Sequence, residues 1–485
     1  MAVSIIERPQ ATEPNTGDIS YWTACYNYVR FIFQRQDRVF ATVTDVSGFA
    51  RFNFSAPPPS GVTTNTPIYI QSSNGTTYNA TGTVTAVSGN NITTDIPYVS
   101  STSGFGIYPT IIKDWRVEVI IDKWNGSAYV PINGQSVSST TPMAKFQNLP
   151  NGSVVAQIEE YLKGELSNDY SYSNSALNQL DTGGSLRYRV RYRENYYGLS
   201  AGAYDVVSDN DDVDIAFFAT NSALQLKATL APNMAQYLMI DDADADGLYM
   251  SGFEEPSIWF NRFTRSGYPF DLAFCFNLGD TLTAIQLWYD ENKVFIEATS
   301  LGTLVDYNGQ VSRIGVNRGT VTSNPYSYTA VQIRQSVFPF AAVGELKYIR
   351  LRETCPGTML VWKNQLGGWD YWLFNEREIE VQTTSSGQVY EPYIEDMATA
   401  DAKAVLLSKA SGNSITLTAS KLDENDVRGL MGLPKSIAVF VIDENGAVQY
   451  RTNVNAGTFN VFNNKRKTYD VIFTISKPTD YIQSE

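Results

Sequence analysis

The sequence predicts a mainly β, multidomain protein, and three observations support this prediction. Tyr and Phe occur 30 and 24 times, and aromatic residues favour strands. Short apolar runs alternate with polar residues and are separated by Gly, Asn and Ser, which is typical of sandwiches and barrels. The chain has 485 residues, more than one hydrophobic core usually organises. We therefore expect small barrel and sandwich modules, followed by a small α+β domain.

Residues 1–110 are predicted to form a small β-barrel-like domain. An aromatic stretch opens this segment, and Pro57, Pro58 and Pro59 interrupt it. After the prolines, residues 68–71, 81–87 and 91–94 alternate between apolar and polar side chains and are separated by glycine-containing turns. Consecutive hairpins of this kind favour a small barrel.

Residues 111–205 are predicted to form a β-sandwich that resembles an immunoglobulin or fibronectin type III module. Val117, Val119 and Ile121 alternate with polar residues, which indicates a strand buried on one face. Residues 153–162 carry apolar side chains at helical spacing, so we expect a short amphipathic helix there. A length of roughly 90 residues suits a sandwich of this type.

A row of arginines lies on one face of the last strand predicted in this sandwich. Strict alternation places four arginines opposite an apolar face, and these are Arg187, Arg189, Arg191 and Arg193. Like charges on one strand face repel each other unless a partner meets them. The acidic segment 205–214, predicted to be a linker or exposed loop, is one candidate within the chain. A neighbouring subunit is the second candidate, so the arginine row is a candidate interaction site.

Residues 206–380 are predicted to form a larger β-sandwich that ends in a tryptophan-rich hairpin. Trp362 lies on the first strand, Trp369 and Trp372 lie on the second, and Gly367 and Gly368 supply the turn. The first interpretation of the hairpin is a packed aromatic core. In the second interpretation, Trp369 and Trp372 are exposed and contact a partner or a sugar.

Residues 381–485 are predicted to form a small α+β domain. Residues 422–430 have a helical pattern, and Asp423 is a candidate N-cap. Strands are expected at 437–442, 447–455 and 468–476.

Composition excludes several classes of function. The chain contains no histidine, which removes imidazole general bases, Ser-His-Asp triads and histidine-ligated metals. The net charge of −14 disfavours binding to nucleic acid or to an anionic membrane surface. Cys25, Cys275 and Cys355 are widely separated, so we expect buried thiols and not disulfides or a metal cluster. Residues 1–15 show no secretory signal and no apolar run is long enough to span a membrane. We therefore expect a protein made in the cytoplasm, without membrane insertion.

An acidic stretch resembles the start of a calcium-binding loop. Asp242, Asp244 and Asp246 are followed by Gly247, and alternate carboxylates of this kind converge on Ca²⁺ in EF-hands. The position of the bidentate glutamate is Phe253, so the match is incomplete, and a solvated acidic turn would explain the same residues. Ca²⁺ is the one cofactor that the sequence leaves open, and otherwise we expect none.

Carboxylates near aromatic clusters are the remaining candidates for catalysis. They are Asp290, Asp370, Glu254 and Glu255. Sugar hydrolysis needs two carboxyl groups at a defined separation, which sequence spacing does not establish. We expect no enzymatic activity.

The residues of the tryptophan hairpin resemble a segment of virion structural proteins of phages and prophages of Bacteroidetes. The residues that carry the resemblance are Trp362, Asn364, Gly367, Gly368, Trp369, Asp370, Trp372 and Phe374. Further similar stretches are 68–98, 188–198, 267–271, 436–443, 448–459 and 469–475. These motifs are aromatic and structural, and the resemblance transfers no catalytic residue.

This resemblance implies a tail or baseplate subunit of a phage virion, which forms a symmetric ring or a fibre-attachment platform. The expected partners are tail proteins of the same virion and further copies of the chain. A carbohydrate-binding adhesin of the tail, with a host surface glycan as its partner, would also fit the sequence. So would a carboxylate-based glycan depolymerase, a head decoration protein and a part of a phage-derived injection machine.

Overall fold

The fold was obtained as a computed structural model. The residues that it describes are 3–9, 11–12, 19–26, 28–35, 38–55, 57, 63–72, 77–107, 116–132, 144–147, 153–173, 177–198, 203–211, 215–221, 247–249, 251–260, 267–276, 281–305, 311–316, 326–335, 342–353, 356–376, 378–386, 389–390, 405–406, 409–455, 461–463 and 468–478. Strands dominate these residues, and two short α-helices accompany them. The prediction of a mainly β chain with several separate sheets is confirmed.

The first half of the described chain contains nineteen strands and one helix. Its strands are β1 (Val3–Glu7), β2 (Ala11–Thr12), β3 (Ile19–Ser20), β4 (Trp22–Ala24), β5 (Arg30–Arg35), β6 (Arg38–Val46), β7 (Phe49–Phe54), β8 (Pro67–Ser72), β9 (Asn79–Ser88), β10 (Asn91–Pro97), β11 (Gly104–Ile107), β12 (Arg116–Trp124), β13 (Tyr129–Pro131), β14 (Ala144–Gln147), β15 (Ser153–Gln157), β16 (Asn178–Leu180), β17 (Ser185–Gly198), β18 (Ala203–Asp211) and β19 (Phe217–Thr220). Helix α1 is Glu159–Lys163.

The second half contains the remaining strands, helix α2 (Glu424–Leu430) and a 3-10 helix (Leu433–Lys435). Its strands are β20 (Gly247–Tyr249), β21 (Ser257–Phe260), β22 (Asp271–Phe276), β23 (Leu282–Tyr289), β24 (Phe295–Thr303), β25 (Ser312–Gly315), β26 (Tyr328–Gln335), β27 (Ala342–Glu353), β28 (Thr358–Lys363), β29 (Trp369–Phe374), β30 (Glu378–Ser386), β31 (Val389–Tyr390), β32 (Val405–Leu406), β33 (Lys409–Leu422), β34 (Val439–Ile442), β35 (Val448–Thr452), β36 (Val461–Asn463) and β37 (Tyr469–Lys477).

Six strands near the N-terminus pair in a ring, where the sequence predicts a small barrel. Their order around the closed barrel is β10-β7-β6-β11-β8-β9. Alternate residues point inward, and Phe40, Phe52 and Tyr78 pack edge to face inside the ring. The barrel has its own hydrophobic core, to which no residue outside the barrel segment contributes among those that the structure describes.

Two sheets share the core that flanks the barrel in sequence. One sheet has the order β1-β5-β15, and the second follows β13-β12-β17-β19-β4, with β14 and β18 paired at its sides. Phe31 and Phe33 from the first sheet pack with Val119 and Tyr188 from the second. The shared core therefore joins residues that precede the barrel to residues that follow it.

The largest core lies in the second half and is shared by several sheets. The sheets have the orders β16-β25-β22-β20, β21-β27-β26-β23-β24, β29-β28-β34-β35 and β30-β33-β37-β36. The tryptophan hairpin β28–β29 lies among them, and helix α2 contributes Val427 and Leu430 to the same core. The predicted helix and its Asp423 cap are confirmed, since the Asp423 carboxylate accepts from the Asp426 backbone.

Strand pairing crosses each of the domain boundaries predicted at residues 110, 205 and 380. β4 pairs with β19 across the first two, β16 pairs with β25 across the second, and β28 pairs with β34 across the third. Turn residues in the sequence mark where local segments end, but they do not show which distant segments share a sheet. The sheets therefore group the chain differently from its linear order.

Two local predictions differ from the structure. Residues 153–162 are not one helix, because Ser153–Gln157 is a strand paired with β5 and only Glu159–Lys163 is helical. The acidic segment 205–214 is not wholly a linker, because Ala203–Asp211 forms a strand beside β17. In both cases a neighbouring strand supplies hydrogen bonds that local sequence does not reveal.

Candidate functional site

The tryptophan hairpin is packed inside the protein on both faces. Gly367 has a positive φ of 88°, and the Asn364 side-chain oxygen accepts from the Leu366 and Gly368 backbones. Trp369 and Trp372 are only 2% and 3% exposed. A sugar platform needs an exposed ring face, which neither side chain offers. This corrects the interpretation of Trp369 and Trp372 as exposed interaction residues.

One face of the hairpin contacts a buried network of charged groups. Lys363 Nζ donates to Asp181 Oδ2 at 2.7 Å, and Trp369 Nε1 donates to Asp181 Oδ1 at 2.9 Å. Nearby, Arg313 Nη2 donates to Asp271 Oδ2 at 2.6 Å, and the Tyr371 hydroxyl donates to Asp271 Oδ1 at 2.9 Å. Two carboxylates thus meet one lysine and one arginine, so the buried charges balance.

Burial shifts the pKa values of this network. It lowers the pKa of Lys363, although the Asp181 carboxylate opposes this shift. Burial also raises the pKa of Tyr371, and the charge of Asp271 adds to that effect. For Arg313 burial is the largest single effect and works against the charged form, but Asp271, Tyr371, Asp181 and Tyr170 together outweigh it and raise the pKa. Removing one member would leave an unpaired buried charge, so the network joins the hairpin firmly to strands β22 and β25.

The opposite face of the hairpin carries a single buried carboxyl group. Asp370 Oδ1 accepts from the Ser251 hydroxyl at 2.8 Å, and Oδ2 accepts from the Gly252 backbone at 3.0 Å. Burial raises the pKa of Asp370 from 3.8 to about 6. Trp372 lies on the same face and stacks on Phe253 with ring centroids 5.7 Å apart.

The arginine row is met by a carboxylate of the neighbouring strand β12. Arg191 donates to both oxygens of Asp122, at 2.6 and 2.7 Å, and Arg189 donates to Asp122 Oδ2 at 2.9 Å. Arg187 instead bonds the Tyr129 hydroxyl and lies over the Trp124 ring. The side chain of Arg193 lies outside the described residues. Two arginines of the row therefore have an intrachain partner, and that partner is Asp122.

The remaining candidate residues fall into two groups. Asp242, Asp244 and Asp246 lie outside the described residues. Among the described carboxylates, Glu255 binds Lys293 and Arg350, and Asp290 Oδ1 accepts from the backbones of Asn292 and Val294. Burial opposes ionisation of Glu255, but its two basic partners hold the pKa below the usual value. Both side chains thus stabilise local structure, whereas the Glu254 side chain is exposed.

The described residues bring no three Cys, Asp or Glu side chains together in a group that could hold a metal ion. No described helix has the length and apolarity that crossing a bilayer requires.

The sequence did not single out four charged residues that the structure brings together, and these are Asp122, Asp181, Asp271 and Arg313. Only Asp122 carried a signal, because it alternates on β12 with the strand's apolar positions.

An exposed apolar stretch follows the polar turn of the hairpin β23–β24. Val294, Phe295 and Ile296 are 59%, 54% and 38% exposed, and no residue of β24 is buried. In the described part of the chain β24 pairs with β23 and lies at the edge of its five-stranded sheet. We call this strand with Val294 the β24 edge.

Comparison with known proteins yields little similarity. No protein-family model matches the chain, and no curated protein matches it. Among solved structures, the phage phi92 endosialidase aligns over 96% of this chain and 70% of its own length, with 9% sequence identity and a TM-score of 0.13. A TM-score this low carries no argument about fold or function.

Proposed function

We propose that this chain is a structural subunit of a phage tail or baseplate, which assembles with further copies of itself and with neighbouring virion proteins. The tail assignment rests on the resemblance of the hairpin and of the stretches around it to virion proteins. The β24 edge is the observation that supports assembly. A nine-residue strand whose outer edge meets no described strand presents backbone donors and acceptors, which favour pairing with another chain.

The composition of the β24 edge strengthens this proposal. Soluble monomers protect edge strands with lysine, proline or bulges. β24 contains neither lysine nor proline, and its one charged residue is Glu297, which accepts from the Tyr326 hydroxyl at 2.6 Å. Two register shifts bend the strand against β23, yet Phe295 and Ile296 stay exposed. We propose that the β24 edge of another copy covers these residues in a symmetric assembly.

A structural role also agrees with the surroundings of three of the four candidate carboxylates. Glu255 is held in ion pairs, Asp290 is used in a turn and Asp370 is buried. A glycan depolymerase would need two carboxyl groups free to act on a bound sugar. We therefore propose no catalytic role for these three residues.

Assembly is tested by comparing Ile296→Lys with Val87→Lys. Ile296 on β24 and Val87 on β9 are 38% and 39% exposed, so the substitutions are matched in charge and exposure. We expect an oligomer for the unchanged protein and for Val87→Lys, and a monomer for Ile296→Lys. The oligomeric state of each protein is measured by light scattering after size-exclusion chromatography and by electron microscopy. A monomeric unchanged protein, or an Ile296→Lys variant that assembles normally, would contradict the role of the β24 edge.

The tail assignment is tested separately by immunogold electron microscopy of virions with antibody against this chain. We expect gold particles at the tail or baseplate. Labelling of the capsid would instead favour a head decoration protein, and unlabelled particles would contradict a virion role.

A further inference from the structure

A pocket opens where the first half of the chain meets the second. Its volume is about 150 Å³, a size that in other proteins accommodates one six-membered ring. Tyr26 and Asn221 line it from the first half, and Lys363, Gln365 and Lys435 line it from the second. Pockets between separately packed parts of a protein are common ligand sites.

The charge of the pocket is opposite to that of the chain. The protein carries a net charge of −14, but two lysines and, among the residues that the structure describes, no carboxylate line the pocket. The ammonium group of Lys363 is paired with Asp181. Lys435 has no ion pair among the described residues, so it supplies the unbalanced positive charge. This arrangement favours an anionic group.

The uncharged groups of the pocket complement the lysines. Asn221 is buried and its Nδ2 donates to Ser167 O at 3.2 Å and to Asn168. No described residue donates to its Oδ1, which leaves one acceptor for a hydroxyl group. Tyr26 is about half exposed, so part of its ring is open to contact with a ligand.

A buried donor lies behind the same wall. Trp362 Nε1 has no hydrogen-bond partner among the described residues. It lies 3.5 Å from the position that a Cβ atom would take at Gly432, and Gly432 lines the pocket. Because Gly432 has no side chain, the wall is thin next to this indole N–H, to which no described residue offers an acceptor.

We propose that this pocket binds the carboxylate-bearing ring of an acidic sugar, of the uronic acid class. The carboxylate pairs with Lys435, a ring hydroxyl donates to Asn221 Oδ1, and the sugar ring packs on Tyr26. This inference goes beyond the structural role and does not depend on assembly through the β24 edge. A result that contradicts one of the two proposals therefore leaves the other unaffected.

Binding is tested with D-galacturonate on the full chain, by saturation-transfer NMR and isothermal titration calorimetry. D-galactose is the matched neutral probe, and inorganic phosphate is the matched anion without a sugar ring. We expect galacturonate to bind at least about tenfold more tightly than galactose, which lacks the carboxylate that pairs with Lys435. It should also bind more tightly than phosphate, which has no ring to pack on Tyr26 and does not match the spacing between Lys435 and Asn221. Equal affinity for galactose, tighter binding of phosphate or no binding of galacturonate would overturn the proposal.

Substitutions inside and outside the pocket test whether galacturonate binds there. Lys435→Gln should weaken galacturonate binding at least about tenfold, and Lys477→Gln, at an exposed lysine paired with Glu380, should not. Gln365 is exposed, so Gln365→Glu adds a negative charge to the pocket without disturbing the core. It should also weaken galacturonate binding. Unchanged affinity in both pocket variants would place the bound sugar elsewhere and overturn the assignment.

Discussion

At the scale of single residues, Asp370 links protonation to folding. Its pKa is raised from 3.8 to about 6 by burial, so the folded protein binds this proton more tightly than the unfolded chain. The free energy of unfolding contributed by this group is therefore highest below pH 4 and falls as the pH rises through 6. The loss of unfolding free energy approaches its full value only above the pKa of Asp370 in the folded protein.

Asp370→Asn removes this titration and provides a test. Relative to the variant, the unchanged protein should lose up to about 3 kcal/mol of unfolding free energy between pH 4 and pH 7. Urea unfolding followed by tryptophan fluorescence measures the difference. Glu160→Gln, at an exposed carboxylate, is the control and should follow the unchanged protein. Parallel curves for all three proteins would contradict the raised pKa.

Cys25 is a buried thiol, as the sequence predicted. Burial raises its pKa to about 12, so the reactive thiolate is scarce near neutral pH. We expect iodoacetamide to leave Cys25 unmodified at pH 8 in the folded protein and to alkylate it fully in urea. Peptide mass spectrometry distinguishes Cys25 from the remaining two cysteines. Equal labelling in both conditions would show that the thiol is accessible.

At the scale of elements, strands β12 and β17 are held together by Asp122 and the arginine row. Asp122 is fully buried, so Asp122→Asn removes the negative charge to which Arg189 and Arg191 donate. We expect a loss of about 3 kcal/mol in unfolding free energy, measured by urea unfolding. Glu380→Gln breaks an exposed ion pair with Lys477 and should cost less than about 1 kcal/mol. A change in oligomeric state without loss of stability would instead make the arginine row a subunit contact.

Elements formed by sequence neighbours could be predicted, whereas contacts between distant segments could not. The turn at Gly367 and the cap at Asp423 depend on residues within a few positions of each other. The network of Asp181, Asp271 and Lys363 depends on positions that lie 90 or more residues apart. Nothing in local periodicity identifies such partners. The same limit explains why the sequence left two interpretations of Trp369 open, a packed core and an exposed contact, although its buried partner Asp181 decides for the first.

At the scale of the whole molecule, the barrel is an insertion within another folded unit. Its strands use only residues 38–107, whereas β5 before it and β12 after it contribute to one shared core. We expect a fragment of residues 36–109 to fold alone. A fragment of residues 111–205, although it has the length of a sandwich module, should stay unfolded because it lacks β4, β5 and β19. Circular dichroism and NMR dispersion measure both outcomes, and a folded second fragment would contradict this grouping.

The first and last strands of the barrel are neighbours, since Gly106 on β11 pairs with Arg38 on β6. The chain therefore leaves the shared core and returns to it at nearly the same point. In genetic terms, such a segment behaves as a cassette. Recombination could remove or exchange the DNA that encodes it without changing the register of the flanking strands. Homologous genes are therefore expected to differ by the presence or identity of this cassette more readily than by rearrangement of the sheets around it.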